Sequence, residues 1–109
     1  MMFGKKKGLP GEIDISSFDF LGESTEFARL WHGGDGGMTA IIDPHGLGAD
    51  PGLFGLALMD SARHAAIAYS QAVNISEDEA LARILEFFDA ERNNPTDSPT
   101  QINPEGQSH

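Results

Sequence analysis

The stretch DPGLFGLALMDSARHAAIAYSQAV, residues 50–73, decides the fold. Asp50-Pro51 reads as a helix entrance. An N-cap carboxylate accepts from the first free N–H groups, and proline at the first helical position lacks an N–H it would not have used. Residues set 100° apart sort into faces. Phe54, Leu58, Met59, Ala62, Ala65, Ala66, Tyr69 and Val73 make a broad apolar face. Ala57, Ser61, Ala68 and Ala72 make an adjoining seam of small side chains. The remaining arc is mixed: Asp60, Arg63, His64, Ser70 and Gln71 stand among Leu53, Leu56 and Ile67. A helix apolar nearly all round is buried on more than one side, so Leu53, Leu56 and Ile67 are expected in an interface with a second chain.

Downstream, Asn74-Ile75 breaks the helix and Ser76-Glu77-Asp78-Glu79 begins another. Ser76 is the expected cap, Glu79 returns the hydrogen bond, and three acids meet the positive end of the helix dipole. Leu81, Ile84, Leu85 and Phe88 follow at the spacing of one helix face, from Glu77 to about Arg92. The short link makes the two helices antiparallel neighbours.

Upstream, residues 25–43 read as a β-hairpin, Thr25–His32 and Met38–Asp43, around Gly33-Gly34-Asp35-Gly36-Gly37. Asp35-Gly36 fits the centre of a two-residue type I′ turn. That register sets Trp31 opposite Ala40 and Leu30 opposite Ile41. One face then carries Ala28, Leu30, His32, Thr39 and Ile41, the other Phe27, Arg29, Trp31, Met38, Ala40 and Ile42. Both faces are substantially apolar and two helices cover only one well, so the other meets the N-terminal segment, a partner chain or water. Trp31 packs on the first helix or on a partner and is a candidate interface residue. A phosphate-cradling reading of the glycines is weak: no Lys or Ser/Thr follows them, no helix follows, and Asp35 sits at the tip.

Residues 1–23 form a partly ordered N-terminal segment. Ile13 and Ile15 alternate with polar residues as in an edge strand, while Phe18 and Phe20 suggest a short helical turn anchored over the core. Residues 24–93 make the single ββαα domain. Residues 94–109, with three prolines and Ile102 as the one apolar anchor, read as a disordered tail.

The 109 residues suffice for one domain. The absence of cysteine excludes a disulfide framework and a thiol nucleophile and suits a reducing cytosol. No apolar run approaches the length of a membrane span and no signal-peptide core follows Lys5-Lys6-Lys7, so the expected protein is soluble and cytoplasmic. Outside that triplet, four arginines face 17 acids, a balance that repels nucleic acid. No cofactor motif is present. His32, His45 and His64 lack the spacing of a metal site, and Trp31 lacks the basic surround of a base-stacking site.

Asp60, Arg63 and His64 form the only polar constellation worth testing. Asp60 and His64 are at i, i+4 and Arg63 is at i+3, all within reach on a helix surface. Asp-His is half of a triad and the arginine could hold an anion, but Ser61 points about 100° away, so no nucleophile completes it. The plainer reading is a salt bridge on the helix surface or between two chains.

The run Ala28-Arg29-Leu30-Trp31, the glycine turn, Asp50-Pro51, Phe54-Gly55, Leu58, Asp60, Ala62-Arg63-His64, Ala68-Tyr69, Ala80-Leu81 and Phe88-Asp89-Ala90-Glu91 resembles a family of short uncharacterised bacterial proteins, a domain of unknown function. The resemblance spans residues 26–92. Its most specific part is Gly55-x4-Asp60-x-Ala62-Arg63-His64, which accompanies the Arg29-x-Trp31 strand. Phe54 stands where that family often has Trp. The resemblance implies a ββαα unit of α+β type and assigns no activity and no catalytic residue. The expected protein is thus a β-hairpin packed on two antiparallel helices, its sheet or helices extended by a second copy. As a function, a homodimeric non-enzymatic interaction module leads. A small enzyme or anion-binding protein using Asp60, Arg63 and His64 is the alternative.

Overall fold

A computed structural model describes residues 8–96. Lys5-Lys6-Lys7 and most of the expected tail, 97–109, lie outside the described residues. The fold is α+β. A two-stranded antiparallel hairpin, β1 (Ala28–His32) and β2 (Met38–Ile42), packs against two helices, α1 (Gly52–Val73) and α2 (Glu77–Asn93). Short 3-10 helices occupy Asp19–Glu23 and Pro44–Gly46.

Each helix end has an identifiable cause. The α1 helix starts at Gly52, one residue later than the sequence suggests, with Pro51 at its N-cap and no side-chain bond from that cap. Just before it, the Asp50 carboxylate accepts from the Gly52 N–H at 2.9 Å. It ends at Asn74, whose left-handed φ of 61° turns the chain back. The Ser76 hydroxyl accepts from the Glu79 N–H at 3.0 Å and opens α2. Only this leg of the expected capping box forms; the Glu79 side chain does not return the bond, and with two other acids it meets the helix dipole instead.

The hairpin register differs from the sequence expectation by one residue. Trp31 pairs with Thr39, Leu30 with Ala40 and Arg29 with Ile41. The loop is the reason. Gly36 takes φ +91° while Asp35 does not turn left-handed, so a type I′ turn cannot form. Instead the Gly36 N–H donates to the Gly33 carbonyl at 3.0 Å, and the Gly33 N–H to the Gly37 carbonyl at 2.6 Å. The shift reassigns the β2 residues: Met38, Ala40 and Ile42 now share a face with Ala28, Leu30 and His32.

Packing is sparse. The helices pack on each other and the strands on each other, but no strand Cα comes within 8 Å of a helix Cα. The layers meet through side chains, as where the Phe27 ring stands edge-on to Phe54 with centroids 6.1 Å apart. The connecting loop seats Gly46 against Phe27, where a Cβ would come within 2.7 Å of the Phe27 Cβ.

Ala66 and Ala80 are the buried hydrophobics among the described residues. The expected core face of α1 is only partly covered: Phe54, Met59, Ala62 and Ala65 are half-buried and Ala66 buried, but Leu58, Tyr69 and Val73 are exposed, as is Phe88 on α2. Nor does the N-terminal segment lie over a core. Residues 12–16 form no strand, and Phe18 and Phe20 stack edge-on to each other at 6.0 Å while both stay exposed. The first of these departures comes from reading an apolar face as a covered one. The second comes from assigning aromatics to a core that two helices and two strands do not enclose.

Candidate functional site

The α1 helix divides into three sides. Met59, Ala62, Ala66 and Ser70, at i, i+3 and i+4 spacing, are buried or half-buried on the side toward α2. Ala66 on α1 and Ala80 on α2 are the buried small side chains of the two helices. Phe54, Ala57 and Ala65 are half-buried on a second side, where Phe54 meets Phe27. The third side is the mixed arc of Leu53, Leu56, Asp60, Arg63, His64 and Ile67, and all six are exposed.

Within that arc, Asp60, Arg63 and His64 make no ion pair and no side-chain hydrogen bond among the described residues. The other arginines behave differently. Arg29 binds Glu26 at 2.7 Å, Arg83 binds Glu86 at 2.8 Å, and Arg92 approaches Asp89 at 3.8 Å, every one at i,i+3 spacing. Arg63 has Asp60 at that same spacing and leaves it unpaired.

The remaining chemistry lies elsewhere. An open groove of about 350 Å³ runs between the helices, lined by Tyr69, Ile75, Ala80, Arg83, Ile84 and Phe87. The Arg83 guanidinium lies 4.5 Å above the Phe87 ring, a cation–π contact. A neighbouring groove of about 370 Å³ adds Glu79, Ala82 and Glu86. Neither groove contains Asp60, Arg63 or His64. Sequence reasoning missed these grooves; the adjacent pair Phe87-Phe88 was the available signal, since consecutive residues cannot both face one core.

In the hairpin loop the Asp35 carboxylate accepts from the Gly37 N–H at 2.9 Å, so it occupies an amide that an anion would need. Trp31 is half-buried beside Thr39. His45 is held near Asp43, 3.2 Å from its carboxylate, on an exposed loop. Among the described residues no three His, Asp or Glu converge as metal ligands, and no helix is long and apolar enough to cross a membrane. Arg29, hydrogen-bonded to Glu26, holds that carboxyl below its usual range, and its own guanidinium is raised in return. The backbone and hydroxyl of Thr96 do the same for Glu91.

The geometry can be set beside known proteins. The family model of a domain of unknown function, DUF5076, matches residues 21–96. A solved structure described as "a putative pyruvate dehydrogenase from the photosynthetic bacterium Rhodopseudomonas palustrus" is 36% identical, with a TM-score of 0.58. The match covers 93% of this chain and 96% of that one. No curated protein matches the chain.

Proposed function

The chain belongs to the DUF5076 family, and we propose that it is a homodimeric, non-enzymatic interaction module of the cytoplasm. One observation carries the reading: two alanines are the buried hydrophobics among the described residues, while large apolar side chains stay uncovered. Ordering a residue's backbone costs about 1–2 kcal/mol. Half-buried Phe27, Trp31, Phe54, Leu81, Ile84 and Leu85 return only part of that, whereas fully covering one large apolar side chain returns about 1.5–3 kcal/mol. A second chain supplies the cover. The helices leave eight large apolar side chains between 38% and 69% exposed. They are spread over several sides of the two helices; Leu53, Leu56 and Ile67 lie together on the outer arc of α1, around Asp60 and Arg63. Leu53, Leu56 and Ile67 on α1 and Trp31 on the hairpin are the interface residues in this reading. Arg29-x-Trp31 and Gly55-x4-Asp60-x-Ala62-Arg63-His64, both inside the matched span, are the stretches we read as the family's mark.

The enzyme or anion-site alternative lacks a comparable observation. Asp60, Arg63 and His64 stand on a convex helix surface and line neither groove. The dehydrogenase description of the Rhodopseudomonas relative finds no support in these residues either. Such chemistry needs a cofactor enclosed beside the reacting carbons, and both grooves here are open. Sedimentation equilibrium at tens of micromolar tests the proposal: a dimer is expected, and a monomer at that concentration overturns it.

A further inference from the structure

We infer that two copies pack antiparallel along the outer arc of α1, about a two-fold axis level with the Ser61–Ala62 peptide, so that Asp60 of each chain pairs with Arg63 of the partner subunit. The inference rests on the homodimer proposed above and specifies its interface. Its first support is the unpaired state of the two charges. Arg29, Arg83 and Arg92 each take an acid three residues away, while Asp60 and Arg63 do not. Two exposed, opposite, unsatisfied charges on one arc make that arc complementary to itself.

The second support is register. In an antiparallel helix pair related by a two-fold axis, each residue lies opposite the one equally far from the axis on the other helix, and each contact occurs twice. The axis that sets Asp60 opposite Arg63 of the partner subunit also sets Leu56 opposite Ile67 of the partner subunit. At 1.5 Å per residue these apolar pairs fall about 8 Å to either side of the charged centre. Both lie on the same arc, and both Leu56 and Ile67 are exposed in the single chain. One axis thus satisfies the charges and covers two apolar residues per chain. An arrangement that paired the charges but left the leucine against water would carry no such argument.

The test is a charge exchange in the full chain, read by sedimentation equilibrium. D60R alone places two arginines in each contact, and R63D alone places two aspartates. Like charges set together weaken association, so each single variant is expected to dissociate at least about ten-fold more readily than the wild type. Mixing D60R with R63D restores opposite charges in both contacts of the mixed dimer, and wild-type affinity is expected to return. The double variant D60R/R63D is expected to dimerise with itself. Single variants that dimerise as tightly as the wild type overturn this axis and leave the homodimer standing. Weakened single variants that fail to rescue each other also overturn the pairing. A monomeric wild type overturns the axis and the homodimer together.

Discussion

Asp60 and Arg63 lie one helical turn apart on the same exposed arc of α1 and do not bind each other, although every other arginine in the chain pairs with an acid at that spacing. Exposed i,i+3 pairs are weak, worth about 0.2–0.5 kcal/mol. An unpaired one therefore costs the single chain little. What it provides is a pair of charges free for a second surface, flanked by Leu53, Leu56 and Ile67. The mixed character of the arc is otherwise hard to account for, because a solvated helix face has no use for three large apolar residues.

Leu56 gives the most direct test of that flank. It is 69% exposed in the single chain. If it stays exposed in solution, Leu56→Ala changes stability by less than about 0.5 kcal/mol. Buried between two copies, it loses about 1–2 kcal/mol of apolar cover per chain. Urea unfolding at two protein concentrations separates the cases. We expect the wild-type midpoint to rise with concentration and the Leu56→Ala midpoint to fall below it. Indistinguishable curves place Leu56 in water.

The second helix depends on its cap. The Ser76 hydroxyl takes the Glu79 N–H at 3.0 Å, and the reciprocal bond from the Glu79 side chain is missing. Ser76→Ala should cost about 1 kcal/mol, read as a lower urea midpoint. Glu79→Gln, which keeps the backbone donor and removes one charge near the dipole, should cost only a few tenths. Equal losses from the two changes count against the single-leg cap.

The carboxylates give a pH dependence whose sign follows from their partners. Arg29 donates from Nε at 2.7 Å and from Nη2 at 3.0 Å to Glu26. Thr96 donates its N–H and hydroxyl to Glu91 at 2.7 and 2.9 Å. Both carboxyls are held below the ordinary glutamate value in the folded chain. Their contribution to stability is therefore fully present above the unfolded glutamate pKa of about 4.3, and is lost as the pH falls through the folded value. Both groups are exposed, so the effect on stability is small, and NMR titration of the side-chain carboxyls reads it directly. Arg29→Gln should raise the Glu26 midpoint and leave Glu91 unmoved. A Glu26 midpoint indifferent to Arg29→Gln contradicts the contact.

Much of the fold is legible in the sequence because it is written in local chemistry. Asp50, Ser76 and Asn74 set helix ends through hydrogen bonds and backbone angles that depend on a few neighbours. The ββαα order follows from those ends and from the period of the apolar residues. Burial is not local. The spacing of Leu58, Tyr69 and Val73 on α1, and of Phe88 with Leu81, Ile84 and Leu85 on α2, marks an apolar face on each helix but says nothing of what covers it. In the single chain Leu58, Tyr69, Val73 and Phe88 remain exposed. The arc of Asp60, Arg63 and His64 is likewise legible as a place. That its charges are unpaired depends on side-chain conformations that no spacing rule specifies.

The hairpin loop shows how one backbone angle displaced a whole face. Reading Asp35-Gly36 as a two-residue turn requires positive φ at both, yet only Gly36 has it, at +91°. The Asp35 carboxylate is engaged with the Gly37 N–H instead, and the loop closes with three residues, Gly34 to Gly36. Gly36→Ala should therefore cost about 1 kcal/mol from backbone strain alone, since a Cβ there meets nothing within 4 Å. Gly34 is equally open but has no positive φ. Gly34→Ala should be neutral or stabilising by up to about 1 kcal/mol, because it restricts the unfolded chain without straining the folded one. Urea midpoints for the two variants make the comparison internal. If both lose stability equally, the three-residue loop is wrong, and with it the register that places Met38, Ala40 and Ile42 beside Leu30.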